Sequence, residues 1–399
     1  MLNVRDLLNA RGAQGRRAIV EGASGEGVTW RQVAVLADRW ASSGLVGPVG
    51  LAIADPVVMA ANFVAALASG VIVVPLDPTA PKADLYARIC QLGVRSLVTD
   101  SDVADNRDGA GSRRGDIGDT SIETWTADCE NLVLIAGRRN AAIDLPLAPA
   151  WPSLLMASSG TTGEPKIVPL SEAQLLSTAA GVAVQLGLTP SDIGYSPLPL
   201  FHINGLVVGV LSALVADSTI VVERQFSRRS FWDAVSRVEA TWLNLVPAML
   251  AILSASPQSV PSHEAPGSSA AVRSTYRVRP RLARSASAPL PAGVRERFEA
   301  LTSIPVIETY GMTEAASQIT ANPLGAVRPG SVGVPVDVTL RVVGDEGIAV
   351  PPLTAGRVQI KGERVTALYW AARPTKSHVD SLDNISMEWT SRTALDSDS

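Results

Sequence analysis

The residues best equipped for chemistry in this chain are "SSGTTGEPK", Ser158 to Lys166: two serines, two threonines, two glycines and one lysine within nine positions. Backbone N–H groups of such small residues line a concave nest, the hydroxyls add donors, and Lys166 brings a mobile charge. That combination suits a polyphosphate. The spacing is not that of a Walker A loop, where four residues separate the first glycine from an adjacent Gly-Lys pair. Here two residues lie between Gly160 and Gly163, and Lys166 follows Pro165. On this segment alone a bare glycine-rich connection stays open as the alternative. Cysteine and histidine offer no rival centre: Cys90 and Cys129 show no CxxC spacing, and His202, His263 and His378 are scattered, which argues against a disulfide scaffold or a zinc site.

The same nine residues match, position for position, the signature loop Ser/Thr-Ser-Gly-Thr-Thr-Gly-x-Pro-Lys of the adenylate-forming (AMP-binding) superfamily, and the chain resembles that family. Three further segments follow in family order. "ETYGMTEAAS", 308 to 317, is similar to the Tyr-Gly-x-Thr-Glu motif. The resemblance implies that Tyr310, with Gly311 and Met312, lies against adenine, Thr313 contacts the α-phosphate, and Glu314 helps hold magnesium. These roles are chemically sensible, since an aromatic face stacks on a base and a carboxylate binds a hard cation through oxygen. "PLPLFHINGL", 197 to 206, resembles the acyl-pocket motif and implies that His202 sits beside the substrate carboxylate. "ARSASAPLP", 283 to 291, resembles the segment whose backbone borders adenine through Ser285, Ala286, Ser287 and Ala288. In the signature loop, Ser158, Ser159, Gly160, Thr161, Thr162, Gly163 and Lys166 are then the phosphate-binding residues. Thr313, Glu314, His202 and Lys166 form the expected catalytic set, with ATP and Mg2+ as cofactors. Within the superfamily, the texture of "TYGMTEAASQITANPL" and "RSASAPLP" is most similar to acyl-CoA synthetases of the fatty-acid and oxalate type.

Two departures from the pattern matter. The family's Arg-Thr-Gly-Asp segment, whose aspartate holds the ribose hydroxyls, corresponds here to "SRTALDSDS": Arg392 and Thr393 fit, Ala394 and Leu395 replace glycine and aspartate, and Asp396 comes one residue late. The chain also stops where the family's hinge and C-terminal lysine domain would begin, and 371–399 reads as a diverged tail. The expectation is therefore ATP-dependent activation of a small carboxylic or fatty acid to acyl-AMP. Thioester formation on CoA would need a C-terminal domain or acceptor from a separate protein. The alternative is a non-catalytic nucleotide or acyl-AMP binder, or a truncated adenylation-domain protein.

The 399-residue chain that must hold these residues is 46% hydrophobic and 18% charged, which fits a folded, aliphatic α/β protein with a sizeable core. A net charge of −4 gives no reason to expect nucleic acid as a partner. The arginines of the Pro/Ser-rich stretch 257 to 284 lack interleaved aromatics and read as a surface loop. The N-terminus has no secretory pattern, so a cytoplasmic location is expected. The uncharged run "PVVMAANFVAALASGVIVVPL", 56 to 76, is long enough to span a bilayer, yet it divides at Gly70 into an alanine-rich half and a β-branched half. It predicts a buried helix followed by a central parallel strand, with no membrane span. Helical and strand patterns alternate from 28 to 100 and again from the loop to about 325; short alternating strands with a "GDEG" turn follow from 331. The predicted fold is α/β: two βαβ-type sheet subdomains, about 1–175 and 176–325, packed together, plus a small β subdomain at about 326–370. It is the architecture the resemblance implies for an acyl-CoA synthetase N-terminal domain, with the active site at the junction.

Overall fold

A computed structural model of the protein describes residues 3–12, 15–100, 123–127, 132–136, 152–158, 166–255, 278–370 and 385–388. Two large sheets organise it. The first has seven strands in the spatial order Leu132–Ala136, Glu123–Ala127, Ser96–Thr99, Pro48–Ala52, Ile72–Pro75, Leu154–Ala157, Ile167–Leu170. Its interior is parallel and its two edge pairs are antiparallel. The uncharged run 56 to 76 becomes what its composition predicts. Asp55 caps Pro56–Ala68 by accepting from the N–H groups of Val57 and Val58, with proline at the first position. Ile72–Pro75 then enters the middle of the sheet, fully buried. No described helix is long and apolar enough to cross a membrane.

The second sheet has nine strands in the order Val334–Pro335, Ser317–Ala321, Val306–Met312, Leu282–Ser285, Trp242–Leu245, Ile193–Ser196, Thr219–Val222, Arg17–Glu21, Gly27–Thr29. The six from Val306–Met312 to Arg17–Glu21 run parallel. Sheet membership does not follow chain order: Arg17–Glu21 pairs with Thr219–Val222, Ile19 opposite Ile220, so the N-terminal strands complete the second sheet and not the first. After Ile193–Ser196 the chain goes first to a strand on one side, Thr219–Val222, and then to one on the other, Trp242–Leu245. This reversal is the topological switch point at which open α/β sheets bind ligands, beyond the carboxyl ends of the strands.

The largest apolar cluster takes residues from both sheets, including Val49 and Val73 from one and Ile220 and Trp242 from the other, together with Phe63, Val64 and Leu67 of the helix between them. One continuous core therefore fixes the two sheets against each other. A third, antiparallel sheet joins Thr339–Val343, Arg357–Lys361 and Ile385–Glu388, with the expected turn at Gly344–Gly347. Arg364, almost fully buried, pins the segment after it to the helix Glu172–Gln185 through Ser177 Oγ at 3.1 Å and to Asp337 by an ion pair.

Candidate active site

The signature segment is bracketed by two paired strands. Leu154–Ala157 and Ile167–Leu170 pair antiparallel, Ala157 opposite Ile167, and the Ser158 N–H donates to the Lys166 carbonyl at 2.8 Å. The two ends of the loop are thus held side by side, a strand-to-strand geometry unlike the strand-to-helix P-loop. Ser159, Gly160, Thr161, Thr162 and Gly163 lie outside the described residues, as do Arg392 to Asp396. Ser158 is buried, whereas Lys166 is exposed and sets its Nζ 4.7 Å from the centroid of the Tyr369 ring.

From the other sheet, Val306–Met312 delivers Tyr310 and then turns through Thr313–Ala315 into Ser317–Ala321. The turn is tight enough to exclude side chains: a Cβ on Gly311 would lie 1.6 Å from the Ser317 carbonyl oxygen. Ala316 and Ser317 both adopt positive φ, 52° and 107°, a conformation that costs non-glycine residues about 1 kcal/mol or more each. This strained corner places Glu314, 8% exposed, where Tyr369 Oη donates to its Oε1 at 3.2 Å. Burial, reinforced by the Glu314 charge, pushes the Tyr369 phenol up to about 12, and the same two causes raise Tyr310. Both tyrosines are therefore neutral at physiological pH. The segment carrying Tyr369 is stitched to both sides: Thr366 N–H donates to the Glu314 carbonyl at 2.7 Å, and Trp370 N–H to the Ile167 carbonyl at 2.8 Å. Lys166 and Glu314, predicted from separate motifs, thus meet across Tyr369, which the sequence reading did not single out.

The acid and adenine motifs converge at the switch point. His202 follows the strand Ile193–Ser196 and stands at the surface, its ring centroid 4.7 Å from that of Phe201. Partial desolvation holds its pKa below the usual imidazole value, with Asp77 offsetting part of the effect. His202 is accordingly neutral at pH 7, a hydrogen-bonding group without a fixed charge. Two residues on, Asn204 opens a wide-turn π-helix, Asn204–Leu211. Its Nδ2 donates to Ser287 Oγ at 3.3 Å, which ties the acid motif to the adenine motif. Ser285 and Ala286 are buried, and the Ser285 carbonyl accepts from Thr309 Oγ1 at 3.2 Å, next to Tyr310.

Beneath these residues lies a polar cluster that the sequence reading also missed. Asn244 donates to Ser196 Oγ and to Asn204 Oδ1, and Arg284 donates to Asn204, Asn244 and Gln318. Its traces in the sequence are an asparagine inside "TWLNLVP" and an arginine inside "LARS", single polar residues in apolar strands.

No cluster of three or more His, Cys, Asp or Glu side chains able to hold a metal exists among the described residues. Glu314 alone suits Mg2+, which is commonly held by one or two carboxylates and completes its shell with water and phosphate oxygens.

Two α/β sheets, with Lys166 and Glu314 brought together at Tyr369 and a second polar cluster at the switch point, make the architecture of an adenylate-forming large domain. The chain belongs to the AMP-binding enzyme family, whose profile matches residues 8–370. It is 38% identical over 257 residues to the sulfoacetate-CoA ligase of Cupriavidus necator, covering 64% of this chain and 48% of the relative. It is 33% identical over 219 residues to the oxalate-CoA ligase of Saccharomyces cerevisiae, covering 54% of this chain and 38% of that one. Among solved structures, ATP-bound MatB from Rhodopseudomonas palustris superposes with a TM-score of 0.72 at 26% identity, over 92% of this chain and 72% of that protein. The chain spans about half or less of the length of the curated relatives it matches.

Proposed function

We propose that the protein activates a small carboxylic acid on ATP. A carboxylate oxygen attacks the α-phosphorus, the α–β phosphoanhydride bond breaks, and pyrophosphate leaves as the acyl adenylate forms. The loop 158–166 with Lys166 holds the β- and γ-phosphates, Thr313 donates to the α-phosphate, and Tyr310 with Ser285–Ser287 encloses adenine. His202 orients the carboxylate. Mg2+, when bound through Glu314, neutralises phosphate charge. Positioning and charge neutralisation carry most of such a reaction. Transfer of the acyl group to CoA, the reaction class in the names of both relatives, belongs to the same proposal, with the acceptor-handling domain supplied in the chain or by a partner. The large domain is taken as 1–370, with the strands Arg17–Glu21 and Gly27–Thr29 assigned to the second α/β subdomain instead of the first, and the location as the cytoplasm.

The convergence of Lys166 and Glu314 on Tyr369, within a chain of this family, carries the proposal. The names of the relatives favour a small acid over a long-chain one. Incubation with ATP, Mg2+ and single acids, followed by mass detection of acyl-AMP, tests it. An adduct is expected from wild type, with about a hundredfold less from Lys166→Ala. Folded wild type that forms no adduct with short, aryl or long-chain acids contradicts the proposal and favours the nucleotide-binding alternative.

A further inference from the structure

The second sheet carries a cavity of about 540 Å3 at its end opposite the candidate active site. The parallel strands Arg17–Glu21, Thr219–Val222 and Ile193–Ser196 all begin there, with Ile193 opposite Thr219 and Ile19 opposite Ile220. His202 and the adenine segment lie at the carboxyl ends of the same sheet, so the length of a strand separates the two places. Val20, Ile193 and Val221 form the floor of the cavity, on the face that packs against the helix Phe231–Arg237 and not on the one that meets the first sheet. Val238, just past that helix, adds an apolar wall. The volume lies within the range of about 300–1,000 Å3 that small-molecule sites occupy.

The rim is cationic. Arg16, Arg17 and Arg237 line the cavity, and all three are exposed. Against them the lining sets one carboxylate, Asp192, which is already matched: it pairs with Arg281 at 3.2 Å and accepts from Thr241 Oγ1 at 2.7 Å and from the Thr189 N–H at 2.8 Å. The three guanidinium groups are held by backbone. Arg16 Nη1 donates to the Pro190 carbonyl, Arg17 Nη1 to the Gly25 carbonyl, and Arg237 Nη1 to the Gly22 and Ala23 carbonyls at 2.6 and 2.8 Å. Carbonyl oxygens fix the direction of a guanidinium without cancelling its charge. Among the described residues the Nε and Nη2 groups of Arg17 and Arg237 donate to nothing, so each keeps donors from its set of five for a ligand.

We infer that this cavity is a second ligand site, separate from the site of adenylation, and that it takes a small organic anion with an apolar body. The body lies on the valine and isoleucine floor, and its sulfonate, phosphate or carboxylate group accepts from the arginine rim, whose planar forks fit such oxyanions. A neutral molecule of the same shape gains the floor alone. A bare inorganic anion gains the rim alone.

Fluorescence titration of the full chain with anilinonaphthalene sulfonate, an apolar body bearing one sulfonate, against the neutral phenylnaphthylamine of nearly the same shape tests this. Wild type is expected to bind the sulfonate about tenfold or more tightly than the amine. Arg17→Gln removes that preference and Arg17→Lys keeps part of it, with the thermal midpoint of each variant establishing that it is folded. Arg16→Gln, one residue outside the strand, is expected to weaken sulfonate binding severalfold and decides the matter where Arg17→Gln does not fold. Tyr310→Ala, which alters the adenine site, leaves sulfonate binding unchanged. Equal binding of the two dyes, no binding of the sulfonate, or a preference that survives both arginine substitutions overturns the inference. So does loss of sulfonate binding in folded Tyr310→Ala, which would put the dye at the adenine site. Adenylation is read separately from acyl-AMP, so either conclusion can fail while the other stands.

Discussion

Tyr369 serves two charged neighbours with one side chain, its ring under Lys166 and its hydroxyl on Glu314, and the two functions separate by substitution. Tyr369→Phe keeps the ring and removes the donor, with an expected loss of about 1 kcal/mol in urea unfolding. Tyr369→Ala also removes the cation–π contact, which adds about 0.5–1 kcal/mol. A larger loss in Tyr369→Phe than in Tyr369→Ala would contradict this division. His202 gives a pH prediction. Its folded pKa lies below the unfolded value of about 6.5, so the unfolded state takes up the proton first as pH falls. The contribution to stability is complete above that value and is lost as pH drops through the folded pKa. Urea midpoints at pH 7.5, 6.5 and 5.5 should therefore fall less steeply for His202→Asn than for wild type. Lys166, Thr313 and Glu314 were singled out from the sequence because they stand in dense motifs. Tyr369 was not, because a lone tyrosine in "TALYW" has no period or charge pattern to mark it, and its partners come from positions 166 and 314.

At the scale of elements, the corner between Val306–Met312 and Ser317–Ala321 is the critical device. It combines the register shift after Tyr310, two non-glycine residues at positive φ, and a glycine with no room for a methyl group. Gly311→Ala must push the Ser317 carbonyl aside and is expected to cost about 3 kcal/mol, read from the urea midpoint. A change within 0.5 kcal/mol, about the scatter of a neutral surface substitution, would show that the corner is not tightly packed. The helix Glu172–Gln185 depends on local chemistry: Ser171 and Gln174 form a reciprocal capping box, and Ser171→Ala should lower stability by about 1 kcal/mol. The division of the run 56 to 76 into helix and strand was readable in the sequence. The sheet that takes Arg17–Glu21 was not readable, because that choice is made by pairing with Thr219–Val222 some two hundred residues away.

In the molecule as a whole, a single core locks two sheets so that Lys166, beside a strand of one, and Glu314, in a strained corner of the other, meet at Tyr369. The segment from Arg364 to Trp370 then laces them together through Ser177, Glu314 and Ile167. Neither sheet alone contains both Lys166 and Glu314. The family was legible in the order of the motifs, whereas the buried Arg284 cluster was not, since its members are dispersed from 196 to 318 and gather only at the switch point. The central claim, that this junction adenylates a carboxylic acid, is tested most directly by acid-dependent exchange of labelled pyrophosphate into ATP, in wild type and Glu314→Gln. Exchange that one acid stimulates and that falls about a hundredfold in the variant is the predicted result. Folded wild type that binds ATP yet shows no exchange with any acid, or exchange that Glu314→Gln leaves unchanged, would contradict it.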